Sequence, residues 1–81
     1  MSTTYPFRTI IDRDEDGSYH AFVPALPGCQ TWGWSSIEQA RTKLREAIDL
    51  YLRSLLDEGE PIPEEHGLES VEIVTLDLSR A

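Results

Sequence analysis

The sequence predicts an α+β fold, a three-stranded meander followed by one amphipathic helix and a closing strand, and three observations predict it. An Asp16-Gly17 pair separates two runs rich in aromatic and β-branched residues, the pattern of a tight hairpin. Serines then precede apolar residues spaced three and four apart from Ile37 to Leu55. Beyond a proline-containing acidic connection, Val71 to Leu78 is again β-branched and apolar.

The first strand is expected over Tyr5 to Ile11, whose residues are aromatic or β-branched apart from Pro6 and Arg8. Asp12, Arg13, Asp14, Glu15, Asp16 and Gly17 then make a charged turn, because Asp and Gly both tolerate positive φ. Ser18 to Val23 alternates, with Tyr19, Ala21 and Val23 on one face and His20 and Phe22 on the other. Pro24 ends this strand. Two prolines and a glycine set the bend Pro24–Gly28, and Cys29 to Trp34 reads as a short third strand with a bulge at Gly33.

Ser36 with Gln39 forms a capping box at the head of the helix. Ile37, Ala40, Leu44, Ala47, Ile48, Tyr51 and Leu55 make its apolar stripe, and the helix is expected to run to about Asp57 and stop near Gly59. Leu52 and Leu56 widen that stripe, either closing the rim of the core or offering a second contact surface. Glu60 to Gly67 is a rigid acidic connection, and Val71 to Leu78 closes the sheet.

At 81 residues, the chain 1–81 is read as one domain, small enough for self-association to add useful burial. Seven basic against fifteen acidic residues give a formal charge of −8, which repels a phosphate backbone and argues against direct nucleic-acid binding. The same field speeds encounter with a basic protein, although surplus carboxylates also serve solubility alone. A lone Cys29 permits no intramolecular disulfide and fits a reducing cytoplasm. No apolar run has the length of a signal peptide core or a membrane span, so a soluble, unexported, cytoplasmic protein is expected.

Asp12, Asp14, Asp16 and Gly17 match the first half of a calcium loop, but its twelfth position is Val23 rather than a bidentate glutamate. A hairpin turn with solvated charges is the better reading. His20 and His66 lie far apart beside one cysteine, so no triad or metal set is visible, and no cofactor is expected. Trp32 and Trp34 flank Gly33 and are expected on one face of the sheet, as core or, with His20 and Phe22, as an aromatic partner-binding patch.

The stretch from Asp16 through Leu26-Pro27-Gly28-Cys29 to Gly33 resembles the HicB antitoxin family, and the match continues through Ile37–Ala40, Glu46–Leu52, Gly59 and Ile62-Pro63. That resemblance implies a partial ribonuclease-H-like fold of order β-β-β-α-β. It also implies an antitoxin that neutralises HicA, a small basic toxin that cleaves messenger RNA, by protein contact. Between Gly33 and Ala40 the chain is one residue longer than the family pattern, so the helix start is expected to sit differently. With the chain ending at Ala81, no C-terminal DNA-binding segment is expected and autorepression is unsupported.

A ribonuclease H centre would need carboxylates gathered around two divalent ions. No acid lies between Tyr5 and Ile11, so a fold without that chemistry, and not an enzyme, is expected. Partner contacts are assigned to His20, Phe22, Trp32 and Trp34 with the acidic Asp14, Glu15 and Asp16, and more loosely to Glu64 and Glu65. Contacts within a homodimer or higher homo-oligomer are assigned to Leu52, Leu56, Val74 and Leu76. The competing reading is an orphan self-associating module without a toxin.

Overall fold

In the computed structural model, which describes residues 4–68 and 72–78, four elements form: β1 (Ile10–Arg13), β2 (Tyr19–Phe22), β3 (Gln30–Trp34) and α1 (Ile37–Asp57). The strands make one antiparallel sheet in the order β1-β2-β3. The helix lies across one face, mainly over β2 and β3 and only lightly over β1. This is the expected α+β class.

The hairpin turn sits later than its charge pattern suggests. Asp12 and Arg13 are strand residues, opposite His20 and Tyr19, and the reversal occupies Asp14 to Ser18. Gly17 adopts φ 89° and donates to the Asp14 carbonyl at 2.9 Å, while Asp14 N–H donates to Ser18 O at 2.7 Å. Ser18 donates through both Oγ and N–H to the Asp16 carboxylate, and these bonds hold that carboxyl below its ordinary pKa.

At its other end β1 begins at Ile10, not Tyr5. The physical reason lies in β2: Val23 turns into the bend, donating to Cys29 O at 3.2 Å, and Pro24 has no N–H to offer. Residues before Ile10 therefore face no strand. Tyr5, Pro6 and Phe7 instead line a cleft of about 380 Å³ with Ile62, Pro63, Glu64 and Glu65.

The Leu-Pro-Gly-Cys bend is part of the core. Leu26 donates to Val23 O and Cys29 to Leu26 O, each at 3.0 Å, with Gly28 at φ 82°. Leu26 and Cys29 are thereby buried beside Ala21, Val23, Ala40 and Leu44, and the Tyr51 hydroxyl ties the helix to Pro27 O at 2.9 Å. Burial pushes the Cys29 thiol above its ordinary pKa, which suits a packing residue rather than a nucleophile.

A bulge at Gly33 corrects the expectation that Trp32 and Trp34 share a face. Tyr19 pairs with Trp34 while Ala21 pairs with Thr31, so two steps along β2 oppose three along β3. Gly33 absorbs the extra residue at φ 81°. Trp34 consequently packs on the helix side, its indole N–H donating to Thr31 Oγ1 at 2.6 Å, whereas Trp32 is left 58% exposed on the opposite face.

The helix keeps its expected bounds. Ser36 is the N-cap, its hydroxyl accepting from Gln39 N–H at 3.1 Å; the Gln39 side-chain Oε1 accepts in return from Ser35 N–H and Oγ, one residue earlier than a standard box. Gly59, at φ 72°, closes the far end by donating to Leu56 O. Ala40 and Leu44 are fully buried, with Ala47, Ile48, Tyr51 and Leu52 packed around them. Ile37, in the first turn, stays half-exposed, and Leu56 is 60% exposed. Leu52 thus closes the core rim, and Leu56 does not.

Among the described residues, no closing strand forms. Val71 lies outside the described residues, and residues 72–78 run without sheet pairing, with Ile73, Val74, Leu76 and Leu78 between 73% and 92% exposed. The connection ahead of them is anchored elsewhere: Arg8 N–H donates to Glu65 Oε1 and Gly67 N–H to Glu65 Oε2, both at 2.7 Å.

That anchor gives a pH prediction. The backbone donors Arg8 and Gly67 hold the Glu65 carboxyl below its ordinary pKa. A depressed acid stabilises the fold above its unfolded value, about 4.3, and loses that contribution as pH falls through the lower folded value. The amide proton resonances of Arg8 and Gly67 are therefore expected to shift together with a midpoint below about 4.3. In Glu65→Gln neither should titrate. A midpoint at or above the ordinary glutamate value would refute the anchor.

Candidate partner-binding face

Alternation along β2 places Tyr19, Ala21 and Val23 toward the helix and leaves His20 and Phe22 on the uncovered face. Direct cross-strand pairing adds Asp12 opposite His20 and Ile10 opposite Phe22, because opposed residues in an antiparallel pair share a face. Trp32 falls on this side by alternation from Thr31, which opposes Ala21, and the bulge beyond it turns only Trp34 to the helix side. The helix contributes nothing here.

His20 is held firmly within the patch. Its Nδ1 lies 2.7 Å from Asp14 Oδ1, its Nε2 lies 3.7 Å from Asp12 Oδ2, and its ring stacks on Phe22 with centroids 6.2 Å apart and planes inclined by 13°. Two carboxylates and a phenyl ring therefore fix the imidazole, while Trp32 stays exposed. The Trp32 indole N–H makes no hydrogen bond to the described residues, so a partner can supply one.

The expected set divides. His20, Phe22, Trp32 and Asp14 come together, and Glu15 and Asp16 stand on the adjoining exposed turn, although the Asp16 carboxylate is engaged by Ser18. Trp34 belongs to the opposite side, where the Lys43 ammonium sits 5.4 Å from its ring centroid. Glu65 is turned onto Arg8, while Glu64 remains exposed. Ile10 and Asp12 are additions that sequence reasoning missed. The signal was the turn: with its reversal at Asp14–Ser18, register alone puts Asp12 against His20.

Chemically, the face offers rigid apolar area with a carboxylate rim, the composition of a protein-docking surface. The His20–Asp14 pair orients a ring, while Cys29 lies buried in the core. Among the described residues, no three His, Cys, Asp or Glu side chains are gathered as a metal site, and no helix is long and apolar enough to cross a membrane.

Comparison with known proteins shows a family. A family model described as the HicB-like antitoxin of a bacterial toxin–antitoxin system matches residues 5–75. UPF0150 protein ssr1765 of Synechocystis sp. is 41% identical over 61 residues, covering 75% of this chain and 76% of that protein. A UPF0150 protein of Archaeoglobus fulgidus is 39% identical over 71 residues, covering 85% and 96%. UPF0150 protein Ta0767 of Thermoplasma acidophilum is 43% identical over 63 residues, covering 78% and 90%.

Proposed function

This chain belongs to the HicB-like antitoxin family of bacterial toxin–antitoxin systems, and we propose that it neutralises a small, basic, HicA-type mRNA-cleaving toxin by contact through the outer face of its sheet. One observation carries the reading: Phe22 and Trp32 stand on a sheet face that no helix or strand of the described residues covers, beside Asp12, Asp14 and Glu15. Large aromatics in such a position anchor partners, and the carboxylates around them suit a cationic surface.

Neutralisation of this kind needs no reaction by the antitoxin. Covering the toxin's RNA-binding or catalytic surface is enough, and a chain of net charge −8 associates fast with a basic partner. The site of action is the cytoplasm, where messenger RNA is found, and no contact with nucleic acid by this chain is involved. Copies of the chain also associate, through the apolar residues its own core leaves uncovered, Leu56, Val74 and Leu76.

Co-expression with the basic protein encoded beside it is the direct test. A complex is expected to co-purify at low salt and weaken as ionic strength rises, since the rim charges are screened over about 10 Å at 0.1 M. RNA cleavage by the partner should stop at stoichiometric addition of this chain. Failure to form a complex at low salt would sink the reading.

A further inference from the structure

The cleft between the N-terminal segment and the connection after the helix is lined by none of the outer-face residues, and both of its walls are stiff. Pro6 and Pro63 restrict the backbone on either side, and Phe7 packs in part against the core. Glu65 accepts from the Arg8 backbone N–H, tying together segments 57 residues apart in sequence. Gly67 keeps the two segments close, since a Cβ there would come within 2.6 Å of the Arg8 guanidinium carbon. The cleft is therefore preformed. Its volume of about 380 Å³ falls at the small end of the about 300–1,000 Å³ usual for ligand pockets.

The lining has two characters. Tyr5, Phe7, Ile62 and the two prolines make it apolar, while Glu64 and Glu65 give it negative charge and no basic side chain lines it. The Arg8 guanidinium lies instead over Gly67, its Nε 4.0 Å from Glu65. Tyr5 and Glu64 are exposed at the cleft, and the Glu64 carboxylate has the exposed His66 ring at 4.0 Å. Aromatic faces beside a carboxylate attract a cation through the ring quadrupole and the charge together. A planar guanidinium uses both, stacking on a ring while its N–H groups reach the carboxylate, whereas a compact ammonium holds its water more tightly.

We propose that this cleft receives an arginine side chain of the basic partner, its guanidinium stacked on Tyr5 and donating to Glu64. The source of the arginine rests on the toxin-binding reading, and the cleft adds to it a second contact apart from the outer face. A net charge of −8 favours the approach of such a side chain. Ring and carboxylate hold one group between them, so losing either removes most of the contact.

Titrating the full chain with N-acetyl-argininamide tests the cleft without a partner. The ring proton resonances of Tyr5 and Phe7 are expected to shift, with a dissociation constant of about 1–10 mM and binding at least about threefold weaker for N-acetyl-lysinamide. Against the partner, Tyr5→Ala and Glu64→Lys should each weaken the complex about tenfold, and the double variant little further. Glu46→Lys, the same charge change on the exposed side of the helix, should weaken it less than about threefold. Both cleft residues are exposed, so the urea midpoint of each variant should stay in place. Rings that ignore argininamide overturn the cleft, as does a complex indifferent to Tyr5→Ala and Glu64→Lys yet weakened by Trp32→Ala, which leaves the outer face standing. Equal binding of lysinamide overturns the guanidinium assignment. A chain whose rings respond but which forms no complex at low salt keeps the guanidinium site and loses the toxin as its source.

Discussion

Replacing Leu44 by alanine is expected to lower the unfolding free energy by about 3 kcal/mol, within the 2–5 kcal/mol typical of fully buried leucines. Leu44 is one of the two largest fully buried side chains, at the point where the helix meets Ala21, Val23 and Leu26. Its removal takes apolar area from the contact and leaves a void that a core of six buried residues has little neighbouring bulk to fill. A chain of this length holds only about 4–12 kcal/mol in total. The midpoint of thermal unfolding should fall by roughly 12–24 °C, and the urea midpoint should fall with the slope unchanged. Leu50→Ala on the same helix is the control, because Leu50 is 68% exposed and should change stability by under about 0.5 kcal/mol. Equal effects at the two positions would mean the helix packs on the sheet by a different face.

The helix was the most legible element because all its determinants are local. Ser36 and Gln39 mark its start, periodicity marks its buried side, and Gly59 marks its end, each within one turn of what it specifies. The sheet was legible only in outline. The limits of β1 depend on where β2 stops, a long-range fact set by Val23 and Pro24. In the same way, the glycine that signalled a bulge at position 33 did not say which tryptophan the bulge would turn over. The hydrophobicity of residues 71–78 predicts a closing strand, yet residues 72–78 form none among the described residues, because strand composition does not by itself supply a pairing edge. Glu65 shows the converse. Amid an acidic connection it reads as one more solvated charge, yet it accepts two backbone hydrogen bonds and fixes the path of the chain.

The division of the two tryptophans makes the outer-face reading testable by a pair of opposite results. Trp32→Ala should weaken toxin binding by about 2 kcal/mol or more, roughly thirtyfold in dissociation constant, as expected for an exposed aromatic anchor that becomes buried in a complex. Stability should barely change, since Trp32 is 58% exposed on the face away from the helix. Trp34→Ala should do the reverse. Its ring packs against the core beneath Lys43, and its loss leaves Thr31 Oγ1 without a donor, so unfolding should come at lower urea while the folded fraction binds toxin almost normally. Phe22→Ala should resemble Trp32→Ala in binding, with a smaller stability loss added because Phe22 also supports the His20 ring. The measurements are calorimetric titration with the partner and urea unfolding of each variant alone. If Trp34→Ala abolished binding at unchanged stability while Trp32→Ala bound like the original, the toxin would meet the helix side of the sheet and the outer face would lose its role.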